Sequence, residues 1–417
     1  MLPKRWERVH IIALILAVVG AFLVLSVALR YEADAVTKLT FGVGKSAPKI
    51  EAPVRSFLIA MGAFYLLAAV TAFIPRIRRV ATVMLIVSAL WLLPAVLILS
   101  AVGKQTNVLT MIAESLRLAT PIALGSLAGL WCERSGIINI AIEGMMLMGA
   151  CLGFTAFFFL GSAIDSAYIA LFISVIIAIL TGALMALLHG WLSITFKTDQ
   201  IVSGTVINIL ALGVTAFIRR QYLLNSRAGL VTLPKIEIPG LVDIPILGSV
   251  LFANKPIFYM MFILLILSHW VLFYTTWGLR TRAVGEHPKA ADTVGINVIK
   301  MRYLNVLIAG LIAGLAGAWF SLETVGSFDD GMTSGKGFIA LAALIFGKWT
   351  PFGAFGGALL FGFSEALGTR FQLLNVPVPS QFLQILPYVV TVVVTSGLIG
   401  RSIPPAAIGQ PYEKGHR

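Results

Sequence analysis

The stretch Ala167–Phe196, AYIALFISVIIAILTGALMALLHGWLSITF, decides the class of this protein. It contains no Asp, Glu, Lys or Arg, and it is longer than the roughly 20 residues that a helix needs to cross a bilayer's hydrocarbon core. Similar runs recur at approximately 11–29, 57–74, 80–101, 108–131, 137–160, 200–218, 256–277, 303–322, 337–348, 351–370 and 381–400. The chain reads as an all-α polytopic membrane protein with about twelve transmembrane helices, or about ten if the Gly-rich runs near 137 and 337 are broken or re-entrant.

Composition leads to the same class. Of 417 residues, 59% are apolar and 12% charged, and the mean hydropathy is +0.95. Soluble domains are about 45–50% apolar and about 25% charged, so a water-facing exterior could not cover this much apolar surface. The net charge of +13 does not point to nucleic acid here, because the Lys and Arg cluster in short connections between apolar runs, where they set orientation. Lys4, Arg5 and Arg8, then Arg76, Arg78 and Arg79, then Arg280, Arg282, Lys289, Lys300 and Arg302, and finally Arg401 fall on one side if there are twelve crossings. That side is the cytoplasm, so both termini are expected inside. Segment 219–255 must then be external, and its Arg219, Arg220, Arg227, Lys235 and Lys255 oppose the rule, although Arg219 and Arg220 could snorkel at a helix end. The first run follows a basic N-terminus as a signal peptide would, and Ala33-Asp34-Ala35 offers a cleavage site. At about 19 residues the run exceeds a cleavable h-region, so an uncleaved first helix is expected.

Two blocks are visible. Residues 1–105 form an N-terminal three-span extension with a polar loop, Arg30 to Ser56, and few polar groups at membrane depth. Residues 106–417 carry nine runs interspersed with Gly, Asn, Glu and His, and the chemistry is sought there. Cys132 and Cys151 have no ligand spacing and read as buried thiols acting as small hydrophobes, so no metal is expected. Gly44-Lys45-Ser46 imitates the end of a phosphate-binding loop, but Leu39 stands where that pattern needs Gly. No triad or zinc motif appears. The chain is expected to be no enzyme, with no catalytic residue and no cofactor of its own.

The strongest local signal is Leu130-Trp-Cys-Glu-Arg-Ser-Gly-Ile-Ile-Asn-Ile-Ala-Ile-Glu-Gly-Met-Met146. Glu133-Arg134-Ser135-Gly136 is a charged break between apolar runs. Asn139 and Glu143 lie four apart, as on one helical face. An ionised carboxylate at the bilayer centre costs about 2.5–3.5 kcal/mol on insertion scales, so Glu143 needs a water-filled path, a donor or a proton. Both a helix-tying role and a place on a translocation path fit. Asn208 and Glu365 are further candidates for the path, while Arg117 with Glu114, and His189, read first as structural. A second signal is the connection Gly278 to Arg302. Pro288 suits the first position of a helix and Gly295 a left-handed stop. The two turns or so between them are too short to be stable alone, which suggests docking into a groove of a soluble subunit. Gly310, Gly314 and Gly317, and Gly353, Gly356, Gly357 and Gly362, are small-residue faces that permit close helix packing.

At these segments the chain resembles the membrane subunits of bacterial ABC importers of the branched-chain amino acid/ribose/nucleoside permease family. Glu133-Arg134-Ser135-Gly136 followed by Asn139-Ile-Ala-Ile-Glu143-Gly144 is similar to that family's hallmark motif. Arg280 to Val298, Gly335 to Trp349, and the tail Pro387-Tyr388 with Gly400 to Tyr412 resemble its later blocks, the tail most closely those of nucleoside permeases. Lys289-Ala290-Ala291-x-x-x-Gly295 is similar to the E-A-A-x-x-x-G loop by which such permeases grip their ATPases, with Lys289 in place of Glu. The resemblance covers about 106–412 and implies that Pro288, Lys289, Ala290, Ala291 and Gly295 form the coupling helix. It further implies a permease subunit for nucleosides or related ribose-containing solutes in the bacterial plasma (inner) membrane. The implied partners are a cytoplasmic ATPase that uses the ATP, a second homologous permease subunit, and an external solute-binding lipoprotein or periplasmic protein. The same machine could import simple sugars or branched-chain amino acids. A proton-coupled secondary transporter using Glu143 and Glu365, or a membrane scaffold, are the rivals of other classes.

Overall fold

The computed structural model describes residues 8–32, 34–42, 48–77, 79–81, 83–85, 87–88, 91, 98–99, 101–224, 231–245, 247–374 and 403–414. The expected span 381–400, the Gly44-Lys45-Ser46 stretch and the tail residues Pro387, Tyr388, Gly400 and Arg401 lie outside them. Seven described helices are long and apolar enough to cross a membrane. The chain forms two compact units, one of residues 1–113 with 364–400 and one of residues 114–363 with 401–417.

In the first unit α1 (Arg8–Arg30) packs along α2 (Val54–Ala72). Ala13, Leu16 and Leu23 meet Val54, Leu58, Met61 and Tyr65 in its core. The polar loop Arg30–Ser56 is not helical or irregular throughout. Val36–Thr40 (β1) pairs antiparallel with Lys49–Pro53 (β2) and parallel with Gln105–Asn107 (β3), in the order β2-β1-β3. The all-α expectation is corrected here, because Val36, Thr37 and Thr40 are β-branched and favour an extended backbone. Buried Thr37 and Thr40 donate to the carbonyls of Ile98 (3.0 Å) and Thr106 (3.2 Å).

The second unit is helical apart from a short antiparallel pairing of Ile236–Glu237 with Ala253–Asn254. It begins within α3 (Val108–Arg134) and continues through α4 (Ile142–Leu160), α5 (Ala167–Gly190) and α6 (Gln200–Ile218). The short α7 (Leu247–Leu251) precedes α8 (Pro256–Tyr274), α9 (Thr276–Glu286), α10 (Pro288–Thr293) and α11 (Val298–Ala318). Last come α12 (Lys336–Phe346) and α13 (Pro351–Leu373), which runs on into the first unit. Three helices end in π-helical turns: α5 at Trp191–Thr195, α6 at Arg219–Leu223 and α11 at Trp319–Val325. Leu180 and Leu184 of α5 and Val206, Ile209 and Phe217 of α6 are exposed, as suits side chains that meet lipid.

The glycine face of α11 does what its spacing predicts. A Cβ on Gly182 would lie 2.4 Å from the Gly310 carbonyl oxygen, and one on Gly314 would lie 2.3 Å from that of Ala178. The backbones of α5 and α11 therefore touch with no side chain between them. Gly317 meets α4 in the same way, at 2.1 Å from the Met146 carbonyl oxygen. Two of the expected runs take other forms. The run at 337–348 is an 11-residue helix, too short to span. The run at 137–160 starts only at Ile142, because α3 ends at Arg134 and residues 135–141 form a non-helical link.

Candidate functional site

The link between α3 and α4 gathers the sequence's polar residues. Gly136 takes φ +90°, a left-handed conformation that a side chain resists, and this turn ends α3. Asn139 therefore sits in the link and does not share a helical face with Glu143, which corrects the i, i+4 reading. The link is held by side chains from α5 and α6. Gln200 Oε1 accepts from the Ile138 amide at 2.7 Å, and His189 Nε2 meets the Ile138 carbonyl at 2.8 Å. Asn208 spans the helix start, donating to the Ile140 carbonyl at 2.9 Å and accepting from the Gly144 amide at 2.7 Å. Buried Asn139 donates to Met145 Sδ at 3.8 Å, while its Oδ1 has no partner among the described residues.

Glu143 solves its burial problem with donors. Its carboxylate accepts from Thr333 Oγ1 (2.6 Å), the Gly335 amide (2.8 Å) and the Gly337 amide (2.6 Å). These groups lie at the N-terminus of α12, where unpaired amides and the helix dipole favour an anion. The other end of α12 is held from the far side of the same break. Trp349 donates its indole N–H to Glu133 Oε2 at 2.5 Å, and Arg134 donates through Nε to the Trp349 carbonyl at 2.9 Å. The short helix is thus gripped at both ends by residues ten apart in one motif. Of the four path candidates, Asn139, Glu143 and Asn208 come together at this junction. Glu365 lies on α13 within the first unit.

The expected short helix at 288–295 is present as α10, with Pro288 at its first turn. It closes with two bonds, Gly295 N–H to the Asp292 carbonyl (3.0 Å) and Ile296 N–H to the Ala291 carbonyl (3.1 Å), around Gly295 at φ +85°. This is a Schellman stop. Ala291 is buried with Val284, Val298 and Met301, whereas Lys289 and Ala290 are exposed and Val294 is 75% exposed. The outward face is therefore Lys289, Ala290 and Val294, and Ala291 is the anchor. Sequence reading could not separate the two, since neighbouring alanines look alike.

One contact joins α10's module to the break. A Cβ on Gly285, at the end of α9, would lie 2.2 Å from the Arg134 carbonyl oxygen, so the two backbones touch. The tail 403–414, whose placement the sequence did not reveal, lies across this contact. Ala407 N–H bonds the Gly285 carbonyl (2.9 Å), Gly409 N–H the Gly136 carbonyl (3.0 Å), and Ala406 N–H the Glu286 carboxylate (3.0 Å). Buried Arg302 donates to the Gln410 carbonyl at 3.0 Å. Among the described residues no cluster of His, Cys, Asp or Glu could hold a metal ion, and both cysteines are free and buried.

Two of the awkward basic residues of 219–255, Arg219 and Lys255, have partners. Arg219 bonds Asp329 (2.6 Å) and Asp330 (3.3 Å). Lys255 donates to Thr232 Oγ1 at 2.8 Å and to the Glu323 carbonyl. Arg227 lies outside the described residues.

Comparison with known proteins bears on the same segments. Over 312 residues the chain is 43% identical to the guanosine ABC transporter permease protein NupQ of Bacillus subtilis, covering 74% of this chain and 97% of that one. It is 36% identical over 313 residues to the nucleoside ABC transporter permease protein NupC of Lactococcus lactis, covering 73% and 96%. TsgC13 of Haloferax volcanii, an ABC transporter permease protein provisionally named for glucose, is 31% identical over 331 residues, covering 73% and 97%. No solved structure matches the chain. Residues 111–395, which include the break, the α10 module and α12, match the family described as "Branched-chain amino acid transport system / permease component". This multi-pass membrane chain belongs to that family of ABC transporter permeases.

Proposed function

We propose that the chain is the nucleoside-conducting permease subunit of an ABC importer in a bacterial plasma membrane. The observation that carries this reading is the 43% identity to a guanosine permease across 97% of that relative. The chain itself binds no nucleotide in this reading, and ATP acts on a cytoplasmic ATPase. A second related permease subunit and an external solute-binding protein complete the importer. About twelve spans with both termini inside fit the loop charges. Residues 1–105 precede the family match, which begins at 111, and are proposed as a three-span extension to a core of 106–417.

The geometry suggests how work reaches the path. The exposed face of Lys289, Ala290 and Val294 offers itself to the ATPase, with Pro288, Ala291 and Gly295 fixing its pose. Movement of α10 passes through α9 to the Gly285–Arg134 backbone contact and on to the link 135–141. That link, with Asn139, Glu143 and Asn208, sets the position of α12. In the proposal Asn139, Glu143 and Asn208 border the path, and the permease changes which side its cavity faces. Interfaces with two discrete arrangements, not gradual bending, carry such changes. A sugar remains the second reading, favoured by the identity to TsgC13.

The test is guanosine uptake by the reconstituted importer. ATP-dependent accumulation that disappears in an Ala290→Arg/Val294→Glu double variant, together with loss of the co-purifying ATPase, is the expected result. Accumulation by this chain alone under a proton gradient, with no ATPase present, would overturn the reading.

A further inference from the structure

A cavity of about 220 Å³ lies in the second unit between the start of α3, the start of α8 and the π-helical end of α11. Its lining combines Arg117, Asn254, Lys255, Phe258, Trp319 and Glu323. Chain order fixes its place. α8 leads away from Lys255 towards α9 and α10, and α11 leads from α10 towards Trp319. The cavity therefore lies at the end of the 19-residue α8 that is opposite α9 and the short α10 helix.

Its walls are more polar than packing alone calls for. Glu323 is 3% exposed, and its Oε2 accepts from the Ile257 amide at 2.7 Å, which fixes the carboxylate at the start of α8. Asn254 Oδ1 accepts from Arg117 Nε at 3.2 Å, and both terminal nitrogens of Arg117 make no hydrogen bond among the described residues. Trp319 is 6% exposed and lines the same space. Trp319 also opens the π-helical turn, a distortion frequent at functional sites. Burial lowers the Lys255 ammonium from its ordinary range, and the Glu323 carboxylate partly offsets this.

We propose that this cavity is a solute station for one nucleoside, with the base against Trp319 and Phe258 and the sugar hydroxyls on Arg117, Asn254 and Glu323. The inference rests on the nucleoside reading above and adds the place and the contacts. Its mixture of parts selects the class. Aromatic walls give a flat heteroaromatic ring a large contact area, and cation, carboxylate and amide together match a hydroxylated sugar without requiring net charge on the solute. The volume lies below the about 300–1,000 Å³ of drug-sized sites, which suits a single small solute.

The experiment is guanosine uptake by the complete reconstituted importer, with glucose and leucine as parallel probes. Trp319→Ala and Arg117→Gln are each expected to raise the KM for guanosine about tenfold, and Trp319→Phe to stay within about threefold. Arg117 is exposed and makes one hydrogen bond, so Arg117→Gln keeps the test readable if Trp319→Ala fails to fold. An unchanged KM in Arg117→Gln and in folded Trp319→Ala overturns the station while leaving the nucleoside reading intact. No guanosine uptake by the unaltered importer, with uptake of glucose or leucine instead, overturns the nucleoside reading and with it this assignment.

Discussion

Two regions of the second unit hold helices together by opposite means. Where α5 crosses α11, Gly182, Gly310 and Gly314 remove side chains until backbone meets backbone. Where α12 meets the α3–α4 link, Glu143 and Glu133 reach across and grip its two ends by hydrogen bonds. The first arrangement has a single close-packed solution, because any added carbon strikes a carbonyl. The second depends on a few directional bonds that can exchange partners. A transporter needs both, a fixed frame and a joint that resets, and the sequence distributes Gly and Glu accordingly.

The crossing is the place for the largest effect. Gly182→Leu or Gly314→Leu puts a Cβ 2.4 or 2.3 Å from main-chain oxygen, and neither backbone can withdraw without parting the helices. The cost should reach or exceed the about 1–3 kcal/mol of ordinary overpacking. The expected outcome is loss of monodisperse protein in detergent, read by size-exclusion chromatography. A variant that elutes normally and melts within a few degrees of the unaltered protein would show that the crossing is looser than its geometry.

At the joint, Glu143→Ala strands three donors at once. Each buried group left without a partner costs about 1–3 kcal/mol, less where water enters. Glu143 is only half-buried, so the protein should fold with a lowered melting temperature and lose most of its uptake. Glu143→Gln retains an acceptor oxygen and should fall between. Equal behaviour of the Ala and Gln variants would show that charge, not hydrogen bonding, is what α12 requires, and would revive a protonation role for this residue.

The contrast also explains what was legible in the sequence. Spans, the charged break, the glycine face and the capped α10 helix are periodic or local, and pattern alone reveals them. The Asn139–Glu143 pairing was misread because nothing in the pattern shows Gly136 turning left-handed before the next helix begins. The partners of Glu143 lie 190 to 194 residues away, beyond any periodic signal. Arg117 and Glu114 were visible as polar residues in an apolar run, but their cavity forms only when α8 and α11 arrive. The β1–β2 hairpin was hidden because its loop reads as polar, and polarity outweighed the β-branched residues within it.

A milder change separates coupling from folding. Ala290→Arg with Val294→Glu alters exposed positions only, so the melting temperature should stay within the scatter of surface substitutions, about 0.5 kcal/mol. ATP-driven uptake should nevertheless vanish. Ala291→Arg, by contrast, places a charge in the small core with Val284 and Val298 and should lower stability as well. If all three substitutions act alike on stability, α10 is not divided into an anchor and a docking face.

The smallest effect is expected at the end of the tail. Lys197 bonds Glu413 at 2.8 Å, with side chains 42% and 75% exposed. The neighbouring ammonium lowers the Glu413 carboxyl from its ordinary range. Whatever the pair contributes is therefore present above the ordinary carboxylate value of about 4.3 and is lost as pH falls through the lowered one. Exposed pairs of this kind are screened by salt and commonly contribute nothing measurable. The tail is held instead by main-chain bonds from Ala407 to Gly285 and from Gly409 to Gly136, in the manner of the frame more than of the joint. Lys197→Ala should leave melting temperature and uptake unchanged at neutral pH and in high salt. Gly409→Pro, which removes a donor and cannot adopt φ +76°, should release the tail and reduce uptake. If Lys197→Ala releases it equally, the ion pair and not the backbone is what fastens the tail across the Gly285–Arg134 contact.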